Sequence, residues 1–268
     1  MQTVAGIQYK KPKVSLLHAT PLVNAELAGR TCYQSFGKSE HLQVREFKGI
    51  PIDDIESSEL MESLCHVYHH NSVSEHINLT YNVTTSRGVL QEQSRHRIQS
   101  LSVQSTRYTM SSVLNAYNAT VTFHDFFWII KQLDMFVVDG YALELEVKHL
   151  YEKLELQSNI ATLSKWFGMT CSNEQEHYLH YQNDKDEVIF STLQSMKQKR
   201  NVGDIFKWIV TDNWKVDLVF TMNLRALTNY LKLRDSGAAY FQMQWLADAV
   251  VKATPQKYLN LVSKKYAH

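Results

Sequence analysis

Residues 77–84 read Ile77-Asn78-Leu79-Thr80-Tyr81-Asn82-Val83-Thr84. Apolar side chains take every second position, the period of a strand with one face buried and the other polar. What flanks this strand is equally informative. Just before it stands His70-Asn71-Ser72-Val73-Ser74-Glu75-His76. Just after it, Ser86-Arg87-Gly88 turns the chain into Val89-Leu90-Gln91-Glu92-Gln93, a short helix that delivers Arg95. Polar and charged groups gathered at both ends of one apolar strand are what a scaffold presenting a site looks like.

Downstream of that helix, residues 95–108 carry Arg95, His96, Arg97 and Arg107 among Ser100, Ser102, Gln104, Ser105 and Thr106, with almost no aliphatic filler. Neither helix nor strand periodicity is present, so this is no core segment. Guanidinium forks match phosphate oxygens in geometry as well as in charge, and the stretch reads as a surface for an anionic, hydrogen-bonding ligand. A solvated basic helix end is the plainer alternative, and the accompanying clusters decide between the two.

Composition limits the function classes. The chain has 268 residues, 44% hydrophobic and 21% charged, which is ordinary globular usage with ample length for a core. A net charge of +1 creates no global field toward nucleic acid or membrane, so any anion site is local. Cys32, Cys65 and Cys171 form no C-x-x-C pair, which argues for reduced thiols rather than a disulfide framework or a cysteine-built zinc site. The N-terminus lacks a secretory pattern, and the apolar patch Phe126 to Val138 is too short to span a bilayer, so a soluble cytoplasmic protein is expected. There is no G-x-G-x-x-G and no P-loop signature; a bound nucleotide would have to be held mainly by side chains.

Along the chain, Lys13–His18 reads as a strand, and Thr20-Pro21 as a cap with proline at the first helical position of a helix toward Cys32. Residues 35–50 read as loop, and Asp53 or Asp54 as the cap of a helix carrying Ile55, Leu60, Leu64 and Val67. Helices are expected over 123–138, 143–156 and 159–167, with loop over 172–186. Residues 216–234 read as one long helix on which Arg225 and Asn229 share a face and Arg234 points elsewhere. An amphipathic segment over 242–251 follows. No linker or repeat interrupts the chain, so a single domain over 1–268 with a helix-rich insertion at about 122–200 is expected.

These clusters together resemble the flavin-dependent thymidylate synthases. Arg95-His96-Arg97 followed after seven residues by Ser105 is similar to that family's R-H-R-x7-S, and His70-x-Ser72-x-x-Glu75-His76 to its H-x-[ST]-x-x-E-H. Asn223-Leu-Arg225-Ala-Leu-Thr-Asn229-Tyr-Leu-Lys-Leu-Arg234 resembles N-x-R-S-L-x-N-F-x-x-L-R, and Arg30-Thr-Cys32-Tyr33 the N-terminal R-x-C-Y. The resemblance implies an α+β fold, an antiparallel sheet flanked by helices, in a homotetramer whose active sites are shared between subunits. It implies FAD as cofactor, dUMP as substrate, and methylenetetrahydrofolate and NADPH as co-substrates, with no nucleic acid or membrane partner. Ser72, Glu75, Arg95, His96, Arg97, Asn223, Arg225 and Asn229 would hold FAD. Glu92, Gln104, Ser105, Thr106, Arg107, Lys207 and Arg234 would hold dUMP. Arg234 would also be the catalytic group, favouring the N3-ionised or enolate-like uracil by charge complementarity. If residues 95–97 are helical they point about 100° apart and cannot converge from one chain, a difficulty that a site between chains removes.

Several positions depart from the family pattern, mostly on the nucleotide side. Glu92 stands where a glutamine is common, and Gln104 where a glutamate usually precedes the serine. Lys207 replaces an arginine and Thr211 a proline, and Ala238 and Gln242 stand for histidine and glutamate. They keep open a related enzyme that installs another one-carbon group, such as hydroxymethyl, or acts on another pyrimidine nucleotide. A non-catalytic RNA-binding protein is the reading from another class, opposed by the near-neutral charge. Ser105 lacks a G-x-S-x-G elbow and His70, Glu75 and His76 lack H-E-x-x-H spacing, so neither a serine nucleophile nor a metal is expected.

Overall fold

A computed structural model describes residues 1–39, 54–166 and 207–266. The expectations for 40–53 and for 172–186, Cys171, and the end of the 159–167 helix lie outside those residues. The chain forms two compact units: Met1–Lys10, Ser86–Gly88 and Gln104–Lys215 make one, and Lys11–Thr85, Val89–Val103 and Val216–His268 the other.

In chain order the strands are β1 (Gln2–Val4), β2 (Ile7–Tyr9), β3 (Lys13–Ala19), β4 (Asn78–Ser86), β5 (Ser100–Val103), β6 (Val138–Asp139) and β7 (Lys215–Asn223). The helices are α1 (Leu22–Cys32), α2 (Glu59–His66), α3 (Arg87–Gln93), α4 (Thr106–Asn118), α5 (Phe123–Gln132), α6 (Tyr141–Trp166), α7 (Leu224–Arg234), α8 (Phe241–Ala253) and α9 (Gln256–Val262).

The site-bearing unit is built on a four-stranded sheet in the order β3-β4-β7-β5. The outer pairs are antiparallel. The central pair is crossed by Thr80–Thr221 and Thr84–Asp217 side-chain bonds that run in opposite order along the two strands, as antiparallel neighbours require. Leu79, Tyr81 and Val83 of β4 are fully buried, so the alternation in the sequence marks the core face as expected. Tyr81 stacks tilted against Phe220 of β7 at 5.1 Å. Helix α8 packs on β3, and α9 packs against α2 and α7.

Residues 216–234, read as one helix, are a strand followed by a helix. Val216, Leu218, Phe220 and Met222 are buried at period 2, and Leu224, Leu227, Tyr230 and Leu231 then follow helix spacing. The change of period falls at Asn223. Its extended backbone and side chain cap α7, with Oδ1 accepting the Ala226 N–H at 2.8 Å. A polar residue that is costly inside a buried helix is favoured at a helix start.

Two other boundaries move. Helix α1 begins after Pro21, and its first amide, Leu22 N–H, donates at 2.6 Å to the Asp54 carboxylate. Thr20, the expected cap, instead accepts from Asn78 N–H through its hydroxyl. Asp54 therefore serves α1, while Ser58 caps α2. In the other unit β1 and β2 form a hairpin whose Ala5 and Gly6 both have positive φ, the geometry of a tight primed turn, and β6 adds to β2. The segment 123–138 is helical only to Gln132, whereas α6 runs unbroken through the two helices expected between 143 and 167 as far as Trp166. Gly88, at the start of α3, lies so close to residue 212 that an added Cβ would sit 3.3 Å from Asp212 Cβ.

Candidate active site

Helix α3 ends at Gln93 and does not carry the basic residues on a helical face. It unwinds through tighter bonds, Arg95 N–H to Glu92 O at 3.3 Å and His96 N–H to Gln93 O at 3.1 Å. The turn is pinned at its base by an amide clamp: Gln93 Nε2 donates to Gln99 Oε1 at 2.8 Å and Gln99 Nε2 to the Gln93 carbonyl at 2.7 Å. Gln93 is fully buried, so this clamp is firm. Freed from helical spacing, Arg95, His96 and Arg97 all line one cavity of a single chain. The expected 100° divergence therefore does not arise.

The opposite wall comes from α7. Leu224 N–H donates to Ile77 O at 2.8 Å, which ties the helix start to the residue before β4 and brings the 3-10 turn Asn71–His76 alongside. Glu75 from that turn meets Arg225, Oε1 to Nη1 at 2.5 Å. The two side chains are 45% and 58% exposed, so solvent screening leaves the pair little weight in stability; it holds the guanidinium in place. Asn223, Arg225, Asn229 and Arg234 all line the same cavity. Arg234, expected off the Arg225–Asn229 face, reaches it from the last turn of α7.

The cavity measures about 820 Å³. Four arginines, two asparagines, Glu75 and His96 supply its polar lining, and Ile98, Met222, Tyr230 and Leu233 its apolar walls. Ile98 is 72% exposed and Leu233 51%, which is unusual for aliphatic side chains at a polar site and leaves an apolar surface for a flat ligand. The apolar lining was not legible as such: each residue adjoins a charged motif position and reads alone as filler.

At the inner corner Arg234 is largely buried. Its Nε donates to His96 Nε2 at 2.8 Å, its Nη1 pairs with Glu92 Oε2 at 3.2 Å, and its Nη2 reaches the Glu92 carbonyl at 3.5 Å. The other Glu92 oxygen takes Arg95 Nη1 at 3.3 Å. Because His96 Nε2 accepts a hydrogen bond, the imidazole is neutral with its proton on Nδ1. Burial, and then the Arg234 charge, lower its pKa, with Glu92 opposing. Its ring meets Tyr230 edge-on at 4.9 Å. The Tyr230 hydroxyl is buried without a hydrogen-bond partner, and burial pushes its pKa far up.

The remaining sequence-derived site residues are not among this lining. Ser72 is exposed in the turn that carries Glu75 but is not a cavity wall. Glu92 stands behind Arg234. Gln104, Ser105, Thr106, Arg107 and Lys207 belong to the other unit. Ser105 stands just before α4, its carbonyl accepting from Tyr108 N–H at 3.2 Å; the side chains of Arg107 and Lys207 are outside the described residues. Among the described residues, no cluster of three or more His, Cys, Asp or Glu could hold a metal ion. Among them, too, no helix is long and apolar enough to cross a membrane.

An antiparallel sheet that carries, on one helix and two turns, a guanidinium- and amide-lined cavity beside exposed aliphatic walls defines an α+β protein that binds an anionic, partly flat small molecule. Residues 15–258 match the family Thy1, described as thymidylate synthase complementing protein, and the chain belongs to that family. It is 28% identical over 253 residues to a flavin-dependent thymidylate synthase of Helicobacter pylori, covering 94% of this chain and 97% of that one. It is 28% identical over 247 residues to the enzyme of that description from Campylobacter jejuni, covering 92% and 93%. A crystal structure of thymidylate synthase X from Helicobacter pylori with FAD and dUMP is similar at a TM-score of 0.62 and 26% identity, covering 96% of this chain and 100% of that one.

Proposed function

We propose that this chain catalyses the reductive methylation of dUMP to dTMP, with FAD as cofactor, methylenetetrahydrofolate as one-carbon donor and NADPH as reductant. The observation that carries the reading is the meeting of Glu75, the Arg95-His96-Arg97 turn and the Asn223–Arg234 helix around one cavity. Those segments lie far apart in sequence, and each carries a motif of the family to which the chain belongs.

The donor set fits a flavin dinucleotide. Its diphosphate needs fixed cations, which Arg95, Arg97 and Arg225 supply. Its ring edges and sugars need paired donors and acceptors, which Asn223, Asn229 and His96 Nδ1–H supply. Its ring faces need a dry apolar wall, and Ile98, Met222 and Leu233 lie in the lining. FAD, when bound, supplies the hydride and one-carbon chemistry that no protein side chain can.

The protein's own part is orientation and charge. Glu75 holds Arg225 toward the phosphates. Arg234, steadied by His96 and Glu92, offers its remaining N–H groups to the carbonyl edge of the pyrimidine and stabilises negative charge developing there. Gln104, Ser105, Thr106, Arg107 and Lys207 hold the rest of dUMP. No protein nucleophile is required. The chain works in a cytoplasmic homotetramer with active sites shared between subunits and no nucleic-acid partner.

An absorbance spectrum of the purified protein, followed by NADPH oxidation with and without dUMP and the mass of the product, tests the reading. A flavin spectrum, dUMP-dependent turnover and a gain of one methyl are expected. Arg95→Ala loses flavin, and Arg234→Ala keeps flavin but weakens dUMP binding and abolishes turnover. Protein that takes up no flavin refutes the proposal, and a product heavier than the methyl compound favours transfer of another one-carbon group.

A further inference from the structure

Glu92 occupies the last turn of α3, the end of a helix where backbone carbonyls already concentrate negative charge and a carboxylate is the disfavoured choice. Two arginines compensate it there, Arg95 on one oxygen and Arg234 on the other. The Arg234 pair is the more sheltered: the arginine side chain is 18% exposed and the glutamate 30%, against 74% for Arg95. With His96 neutral, the corner formed by Arg234, Arg95, His96 and Glu92 carries one net positive charge; a neutral amide at position 92 would leave two.

The surrounding ionisable groups, Arg97 apart, add no net charge here. Glu75 is committed to Arg225. Asp235, next to Arg234, is committed to Lys265 and Tyr266. Tyr230 is held in its neutral form by burial. Arg97, from the same turn as His96, adds positive charge to the cavity lining.

We infer that Glu92 is the specificity-setting carboxylate of the site: by pairing with Arg234 it weakens the preference of the cavity for the N3-ionised pyrimidine ring over the neutral, N3-protonated one, and by gripping the guanidinium it positions it. The inference rests on the pyrimidine nucleotide proposed above. A bare guanidinium at the ring edge would favour whichever ring form carries negative charge; one already paired with a carboxylate donates hydrogen bonds to the ring carbonyls with less of that bias. Glu92 is therefore a positioning residue that acts through Arg234.

The test uses flavin-loaded protein and two probes, dUMP and 5-fluoro-dUMP, whose N3–H is the more acidic because fluorine withdraws electrons. Binding of each is measured from neutral to mildly alkaline pH in the wild type and in Glu92→Gln, which keeps an oxygen for Arg234 and removes only the charge. The ratio of 5-fluoro-dUMP to dUMP affinity is expected to rise about fivefold in the variant, the size of one screened ion pair, and to begin rising at lower pH. Glu92→Ala is the second variant. It loses affinity for both nucleotides, but the ratio cancels that common loss and rises in the same way. An unchanged ratio and pH profile in both variants overturns the inference, since a merely structural role weakens both probes equally. Wild-type protein that binds flavin but neither nucleotide overturns the proposed substrate instead, and the inference with it.

Discussion

Asn223 combines two roles in one side chain, and substitutions separate them. Its Oδ1 accepts the Ala226 N–H at 2.8 Å and caps α7, while the residue also lines the cavity. Asn223→Ala removes the cap at a cost of about 1 kcal/mol, or roughly 2 °C in the melting temperature of a chain of this length. Asn223→Asp keeps the acceptor and adds a negative charge at the positive end of the helix, worth roughly 0.3–1 kcal/mol in the stabilising direction. The aspartate variant should therefore be at least as stable as the wild type. Ligand binding should respond differently. Both variants lose the amide N–H groups, and a hydrogen bond to a charged partner is worth about 1.5–3 kcal/mol, ten- to a hundredfold in affinity. The aspartate also repels a phosphate-bearing cofactor and should be the weaker binder. Urea unfolding of ligand-free protein followed by circular dichroism gives the first comparison, and FAD titration by fluorescence quenching the second. Equal destabilisation by alanine and aspartate would refute the capping role, and unchanged FAD affinity in both would refute the ligand role.

Two further outcomes are expected. His96 is neutral in the fold, and burial followed by the Arg234 charge holds its pKa below the ordinary 6.5. The unfolded chain then binds this proton more readily than the folded one, so the His96 contribution to stability is complete above 6.5 and is lost as pH falls from there toward the lower folded value. Urea midpoints measured through that window should slope less in His96→Gln than in the wild type; parallel slopes would contradict the neutral assignment. In β7, Phe220→Ala should cost about 3–5 kcal/mol, whereas Val219→Thr on the other face should stay within about 0.5 kcal/mol. Comparable losses at the two positions in urea unfolding would contradict the strand.

Some of this protein is legible in the sequence alone. The strand at 77–84 is fixed by neighbours two apart, and its apolar residues are the buried ones. The helix after Pro21 and the polar clusters at 70–76 and 95–97 are equally local. The sequence misleads where two periods abut or where a distant partner decides. Residues 216–234 contain enough apolar positions to satisfy a helix template throughout, and only the pairing of 215–223 with β5 and β4 makes the first half a strand. Thr20 has the chemistry of a cap, but Leu22 N–H is taken instead by Asp54, 32 residues beyond Leu22. Strand β5, Ser100-Leu101-Ser102-Val103, alternates over only four residues, too short a run to stand out from the polar stretch around it, and three of the four are exposed at the sheet edge.

Which side chains could bind an anionic nucleotide was set by the chain alone, because guanidinium, amide and carboxylate groups carry their chemistry wherever they stand. How they meet was decided by tertiary structure. The amide clamp between Gln93 and Gln99 turns three consecutive residues toward one cavity, and the Leu224–Ile77 bond carries Arg225 to Glu75. The buried corner then gives Arg234 a carboxylate partner that no spacing rule foretold. Periodicity reports contacts among residues a few positions apart, whereas this convergence depends on strand pairing between segments more than a hundred residues distant.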